Sequence, residues 1–228
     1  MNKTIREAFK ASIPVLMGYE VLGIAFGMLL TSKGFGVGYA FIMSVFIFAG
    51  SMQFVGVELL SSGASLISAA LMTLIINARH LVYGLSMIKK YKGTGKLKPY
   101  LIFALTDETY SLLVSPTPEG VDEKMYMFYV SFFDQCYWVT GSLIGAICGS
   151  LIKINTTGLD FSMTALFIVI VTEQFLSTKD HKYTYLGFVI SIGCLIAFGS
   201  SNFLIPSIIG IIIGLLILMK IEGGKSNA

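Results

Sequence analysis

YTYLGFVISIGCLIAFGSSNFLIPSIIGIIIGLLILM, residues 183–219, contains no charged side chain. A helix crosses a bilayer with about 20 apolar residues, so this stretch is too long for one span. Asn202 and Pro206 interrupt it near the middle, and it reads as two helices joined by a tight turn. Insertion into lipid explains such a run; a soluble core does not. The remaining sequence agrees. Of 228 residues, 55% are hydrophobic and 13% charged, against about 25% charged in a soluble domain. Mean hydropathy is +0.79.

Eight apolar segments follow from this pattern, at 13–32, 37–60, 64–88, 99–115, 125–152, 160–178, 183–201 and 203–219. Pro14, Pro99 and Pro206 fall at segment starts, where a missing N–H costs little. The basic N-terminus (Lys3, Arg6, Lys10) leads into a stretch without a convincing small-residue cleavage site, so the first segment is expected to stay as a membrane helix. The expectation is an all-α polytopic membrane protein of seven to eight transmembrane segments, in one transporter domain over 1–228 with no room for a soluble domain.

Orientation does not follow from counting spans. The N-terminus and the 89–98 loop carry the densest Lys and Arg and should both face the cytoplasm. Three plain spans between them would place them on opposite sides, so one of the first three segments must be irregular. The acidic 116–124 loop (Glu119, Asp122, Glu123) reads as external and the 179–182 loop as internal. Ser51-Met52-Gln53-Phe54 echoes Thr172-Glu173-Gln174-Phe175, and Gly23-x3-Gly27 echoes Gly141-x3-Gly145. These echoes predict inverted repeats at 1–115 and 124–228, with segments two and six broken or re-entrant. Interrupted helices in inverted repeats are a transporter architecture with the ligand at the interruptions.

Ionisable groups inside a membrane are costly and mark function. Here they are Glu20, Glu58, Arg79, His80, Asp107, Glu108, Asp134 and Glu173, with Gln53, Asn77, Gln135 and Gln174 as neutral partners. Glu58 and Glu173 fit helix ends. On a helix, Asn77 shares a face with His80, and Arg79 shares another with Tyr83. Arg79 either grips a substrate carboxylate bidentately or makes a structural ion pair with Asp107 or Asp134. The adjacent carboxylates Asp107 and Glu108 suit a proton relay or an ammonium site, or one of them, Glu108, simply pairs with Arg79. Gly50-Ser51 allows a break whose freed backbone groups could hold a zwitterion, or close packing of small residues. Gly18, Gly23 and Gly27 read as packing, and Trp138 as core.

Other classes lack a signature. Net charge is +3, but no basic face with interleaved aromatics points to nucleic acid. Cys136, Cys148 and Cys194 have no metal spacing, and on one helix the first two lie roughly 18 Å apart. Neither a Gly-x-Ser-x-Gly elbow nor His-Glu-x-x-His occurs, nor a phosphate-cradling loop before Lys-Ser/Thr. The expectation is a non-enzyme without metal or cofactor.

Together, Pro14-x3-Gly18-x4-Gly23-x-Ala25-Phe26-Gly27, Ala49-Gly50-Ser51-Met52-Gln53-Phe54, Asn77-Ala78-Arg79-His80-Leu81-Val82-Tyr83-Gly84, Thr106-Asp107-Glu108, Trp138-x2-Gly141-x3-Gly145 and Leu159-Asp160-Phe161 resemble the AzlC family. The Asn-x-Arg-His and Ala-Gly-Ser-x-Gln-Phe stretches are the specific part. The family is described as the large subunit of a branched-chain amino acid exporter or permease. The resemblance implies export of branched-chain amino acids, and of methionine in some members, with a small hydrophobic subunit of the AzlD type in the cytoplasmic membrane. Ser51, Gln53, Asn77, Arg79, His80, Asp107 and Glu108 are its signature positions here. The resulting expectation is proton-coupled secondary transport. Ser51, Gln53, Asn77, Arg79, Asp107, Asp134 and Gln174 would bind substrate, and His80, Asp107 and Glu108 would couple protons. A non-transporting assembly subunit and a channel component are the alternatives.

Overall fold

The computed structural model describes residues 3–151, 168, 171–172, 175–176, 181–199 and 203–225. They are helical, and no strand occurs among the described residues. The chain divides into two compact units, Met1–Thr164 and Ala165–Ala228.

In the first unit, α1 (Lys3–Ser32), α4 (Leu66–Met87) and α7 (Glu123–Leu151) are the long helices. Between them lie two pairs of short helices, α2 (Val37–Phe46) with α3 (Gly50–Ser61), and α5 (Lys98–Phe103) with α6 (Asp107–Val114). Among the described residues, α1 is the helix long and apolar enough, by length and composition, to cross a bilayer. It begins ten residues earlier than the apolar pattern indicated, so Pro14 lies inside it and not at its start. The reason is a continuous stripe. Thr4, Ala8, Ser12, Val15, Tyr19, Gly23, Phe26, Gly27 and Leu30 are buried at three- and four-residue spacing, one helix face packed on α7.

That packing is parallel. Lys3 Nζ donates to the Glu119 carbonyl, Ser12 Oγ meets Tyr137 OH, and Thr140 Oγ1 donates to Glu20 Oε1. Further along, the expected glycines bring the backbones together. A Cβ on Gly23 would lie 2.9 Å from Ser142 N, and one on Gly27 would run into Ser142 O and Ala146 N. Gly141 and Gly145 are equally tight against Glu20 and Ile24. Gly18 is not part of this seam, since a Cβ there meets nothing within 4 Å.

The second segment is broken, as its Gly-Ser pair suggested. α2 stops at Phe46, Phe48 takes φ 42°, and α3 starts at Gly50. It also doubles back on itself. Phe26 stacks edgewise on Phe54, and Lys33 pairs with Glu58 at 3.5 Å. So α3 runs parallel to α1 and returns to the end from which α2 set out. The fourth segment, expected as one span, is broken too. Ala104-Leu105-Thr106 separates α5 from α6, and the Thr106 side chain caps α6 by accepting from Thr109 N at 3.2 Å. Asp107 and Glu108 in the first turn favour a helix start there. Lys90 Nζ donates to the carbonyls of Leu113 and Ser115, so α6 ends beside the 89–98 loop where α5 began.

The first unit therefore has a near end, holding the N-terminus and the 89–98 and 116–122 loops, and a far end, holding 33–36 and 62–65. The α2–α3 hairpin enters from the far end and α5–α6 from the near end. The acidic 116–124 loop lies with the basic loops and not opposite them, because it is Lys and Arg that orient loops while Asp and Glu contribute little. Inverted copies starting at 1 and 124 would make α1 and α7 antiparallel, which they are not. The inverted relation among the described residues is between 3–61 and 66–114, each a long helix followed by a broken hairpin.

In the second unit, α8 (Lys182–Phe198) and α9 (Leu204–Lys225) form an antiparallel pair. Gly210 and Gly214 of α9 face Ile190 and Leu186 of α8. Gly199, at φ 72°, ends α8. The uncharged run is thus two helices. Segment six, with Glu173 and Gln174, lies mostly outside the described residues, as do Leu159-Asp160-Phe161.

Candidate functional site

The two hairpin tips meet in the middle of the first unit. Phe48 contacts Phe103 from the opposing hairpin, with ring centroids 6.3 Å apart, and Tyr19 of α1 at 6.4 Å. Both α3 and α6 start at this level, so their N-terminal backbone N–H groups lie here. Arg79 of α4 bridges them. Its Nη1 lies 2.9 Å from Asp107 Oδ2, and its Nη2 donates to Ser51 Oγ at 2.7 Å. Both ion-pair partners are about three-quarters covered, with side-chain exposures of 25% and 24%. A cation between two positive helix ends is unfavourable by itself; the Asp107 carboxylate at the first position of α6 offsets it. Of the two roles open to Arg79 in the sequence, the geometry is that of the structural pair, with Asp107 as the partner. Arg79 Nε and Asp107 Oδ1 are buried without a hydrogen-bond partner.

A cavity of about 370 Å³ lies beside this bridge. Its floor is the broken backbone at Ile47-Phe48-Ala49, its α4 wall is Asn77, His80, Gly84 and Ile88, and its α5 wall includes Ile102 and Phe103. It extends to Tyr91 and Lys98, that is, towards the near end. Asn77 Oδ1 is buried without a partner. The lining is mostly aliphatic and aromatic with few polar groups, the usual make-up of a small-molecule site.

The sequence-predicted residues separate into three groups. Asn77 and His80, expected to share a face, line the cavity. Ser51, Arg79 and Asp107 form the bridge between the tips. Gln53 is closed off: it is fully buried, accepts from Trp138 Nε1 at 2.8 Å, and places its amide nitrogen 3.4 Å from Ser44 Oγ. Trp138 is core, packed on Tyr19, Phe26 and Gly50. Asp134 is fully buried and neither lines the cavity nor pairs with Arg79. Gln174 lies outside the described residues.

Glu108 pairs with neither Arg79 nor Asp107 but accepts from Tyr19 OH at 2.7 Å. Tyr19 OH lies 2.6 Å from Thr106 Oγ1, Thr106 donates to Thr109 Oγ1 at 3.0 Å, and Thr109 donates to Asp134 Oδ2 at 2.7 Å. Sequence reasoning missed Tyr19, Thr106 and Thr109. The signal available for Thr106 was its place before Asp107-Glu108, a helix-start pattern inside an apolar segment.

Residues 14–152, the stretch carrying both hairpins, the bridge and the cavity, match the family described as AzlC protein. The chain belongs to the AzlC family. It is 46% identical over 216 residues to the Bacillus subtilis branched-chain amino acid transport protein AzlC, covering 94% of this chain and 85% of that protein. A Helicobacter pylori relative, named an uncharacterized membrane protein, is 42% identical over 96% of each chain. The Escherichia coli inner membrane protein YgaZ is 30% identical over 76% of this chain and 74% of its own length. No solved structure matches. The names of these AzlC-family relatives are those of membrane and transport proteins, in line with a transmembrane chain.

Proposed function

We propose that this AzlC-family chain is a multi-pass secondary transporter in the cytoplasmic membrane that exports branched-chain amino acids, working with a small AzlD-type subunit. The observation that carries the reading is the cavity on the broken tip of a re-entrant hairpin. There, backbone groups at 47–49 and the Asn77 amide offer polar contacts to an ammonium or carboxylate, while Ile88, Ile102 and Leu105 suit an aliphatic side chain. The B. subtilis relative's name supports this substrate class. The near end carries the Lys-rich loops, so the positive-inside tendency puts it in the cytoplasm. A cavity reaching that end loads from the cytoplasm, as an exporter must. His80 in the wall is the group through which substrate and proton meet, and the Arg79–Asp107–Ser51 bridge holds the two tips together in this state. The chain is read as non-catalytic.

The test is efflux of labelled leucine from cells co-expressing the chain and its small neighbour, with valine, isoleucine and methionine as competitors. Efflux that needs both chains and responds to an imposed pH difference is expected. Absence of efflux with both chains in the membrane overturns the substrate assignment. Gly84→Leu tests the cavity directly. A Cβ at Gly84 meets nothing within 4 Å, so the larger side chain fills the cavity without disturbing α4. Normal leucine efflux by this variant would remove the cavity from the pathway.

A further inference from the structure

We propose that Tyr19, Thr106 and Thr109 form a three-hydroxyl proton wire through which the Glu108 and Asp134 carboxyls share one proton. The four links are 2.7, 2.6, 3.0 and 2.7 Å, all within hydrogen-bond distance. Asp134 is at 0% exposure, as is Thr109, and Tyr19 and Thr106 are at 4% and 7%. Glu108 is the partly exposed terminus. The wire thus joins a fully buried acid to a partly exposed one.

Two features separate this chain from ordinary satisfaction of buried hydroxyls. First, Asp134 has no counter-ion among the described residues, and its Oδ1 has no partner at all. An isolated buried carboxylate is costly, and carrying a proton removes that cost. Arg79 is committed to Asp107. The groups facing Asp134 are Thr109 and Glu108 on α6, Tyr100 on α5, Tyr137 on α7 and Tyr19 on α1; those facing Glu108 are Tyr19, Asp107, Asp134, and Arg79 and Tyr83 on α4. Second, each intervening hydroxyl touches one carboxyl-side neighbour in each direction, so the chain can be filled in either sense. With the proton on Glu108, its O–H donates to Tyr19, Tyr19 to Thr106, Thr106 to Thr109, and Thr109 to Asp134. Transfer passes one proton along each link. Asp134 gains an O–H, Glu108 becomes the carboxylate, and each hydroxyl keeps one hydrogen while now donating the other way. Rotation of the three hydroxyls resets the wire.

The proposal deepens the exporter reading, and its test has one arm that depends on that reading and one that does not. In purified protein, the C=O stretch of a protonated carboxyl is followed by infrared spectroscopy after transfer to deuterated water. The wild type should exchange quickly, Thr109→Val and Tyr19→Phe ~10²-fold more slowly, and Thr109→Ser should recover because it restores a hydroxyl. In vesicles, Thr109→Val should lose leucine efflux driven by a pH difference while keeping leucine–leucine exchange, which needs no net proton movement. Exchange into deuterium at the wild-type rate in both Thr109→Val and Tyr19→Phe overturns the wire. Wire behaviour in the infrared with no leucine movement by the wild type would keep the wire and remove the amino acid.

Discussion

Arg79 holds the two tips with separate nitrogens, one on Asp107 and one on Ser51. A lysine carries a single compact charge and cannot span both. Arg79→Lys and Arg79→Ala should therefore destabilise the folded protein, the alanine variant by roughly 1.5–3 kcal/mol, the range for a charge-assisted hydrogen bond. Thermal unfolding in detergent measures this. Asp107→Ala should cost little more when combined with Arg79→Ala, because the two side chains report one interaction; additive losses would mean that each acts alone. These charged residues were legible because charge is rare in a bilayer segment. Asn77 and His80 were legible by the same reasoning and by their spacing. The hydroxyls were not. Serine and threonine can satisfy themselves on carbonyls three or four residues back, so their presence in an apolar helix carries no signal. The contacts of Tyr19 with Thr106 and of Thr109 with Asp134 join residues 87 and 25 positions apart.

At the level of elements, the α1–α7 seam is the most exacting contact. Gly27→Ala and Gly145→Ala each place a methyl group against the backbone of the other helix, and overpacking of this kind costs typically about 1–3 kcal/mol. Both should lower the yield and thermal stability of the monodisperse protein on size exclusion, whereas Gly18→Ala should leave them unchanged. Equal losses at all three positions would count against the seam, since alanine by itself favours the helix over glycine. The glycine spacings announced this contact, but not which pairs would meet. The break in segment two was legible from Gly50-Ser51. The break in segment four was not, because apolar periodicity runs across Ala104-Leu105 and the cap at Thr106 is only one residue long. The extra turns at the start of α1 were hidden for the opposite reason: Arg6 and Lys10 point outward and mask the buried Thr4, Ala8 and Ser12.

For the whole molecule, the testable quantity is sidedness. With Cys136, Cys148 and Cys194 replaced by serine, Lys92→Cys and Thr117→Cys should react with an impermeant maleimide from one face of sealed vesicles, and Ser62→Cys from the other. Labelling of positions 92 and 117 from opposite faces would undo the α5–α6 hairpin. The sequence exposed the conflict between charge and span count, and the hairpin from the far end resolves it. It misled at 116–124, where acidity was taken as a sign of the outside. The cavity has an electrical consequence as well. Water entering it would bring the voltage of the near-side solution to the 47–49 tip, so that the field across the bilayer would concentrate in the thin layer where the hairpins touch. A charge crossing that layer gains or loses about 2.3 kcal/mol per 100 mV, over a few ångströms instead of the full hydrocarbon thickness. Transport by such a septum should respond to a potassium diffusion potential imposed without any difference in pH, speeding or slowing with its sign.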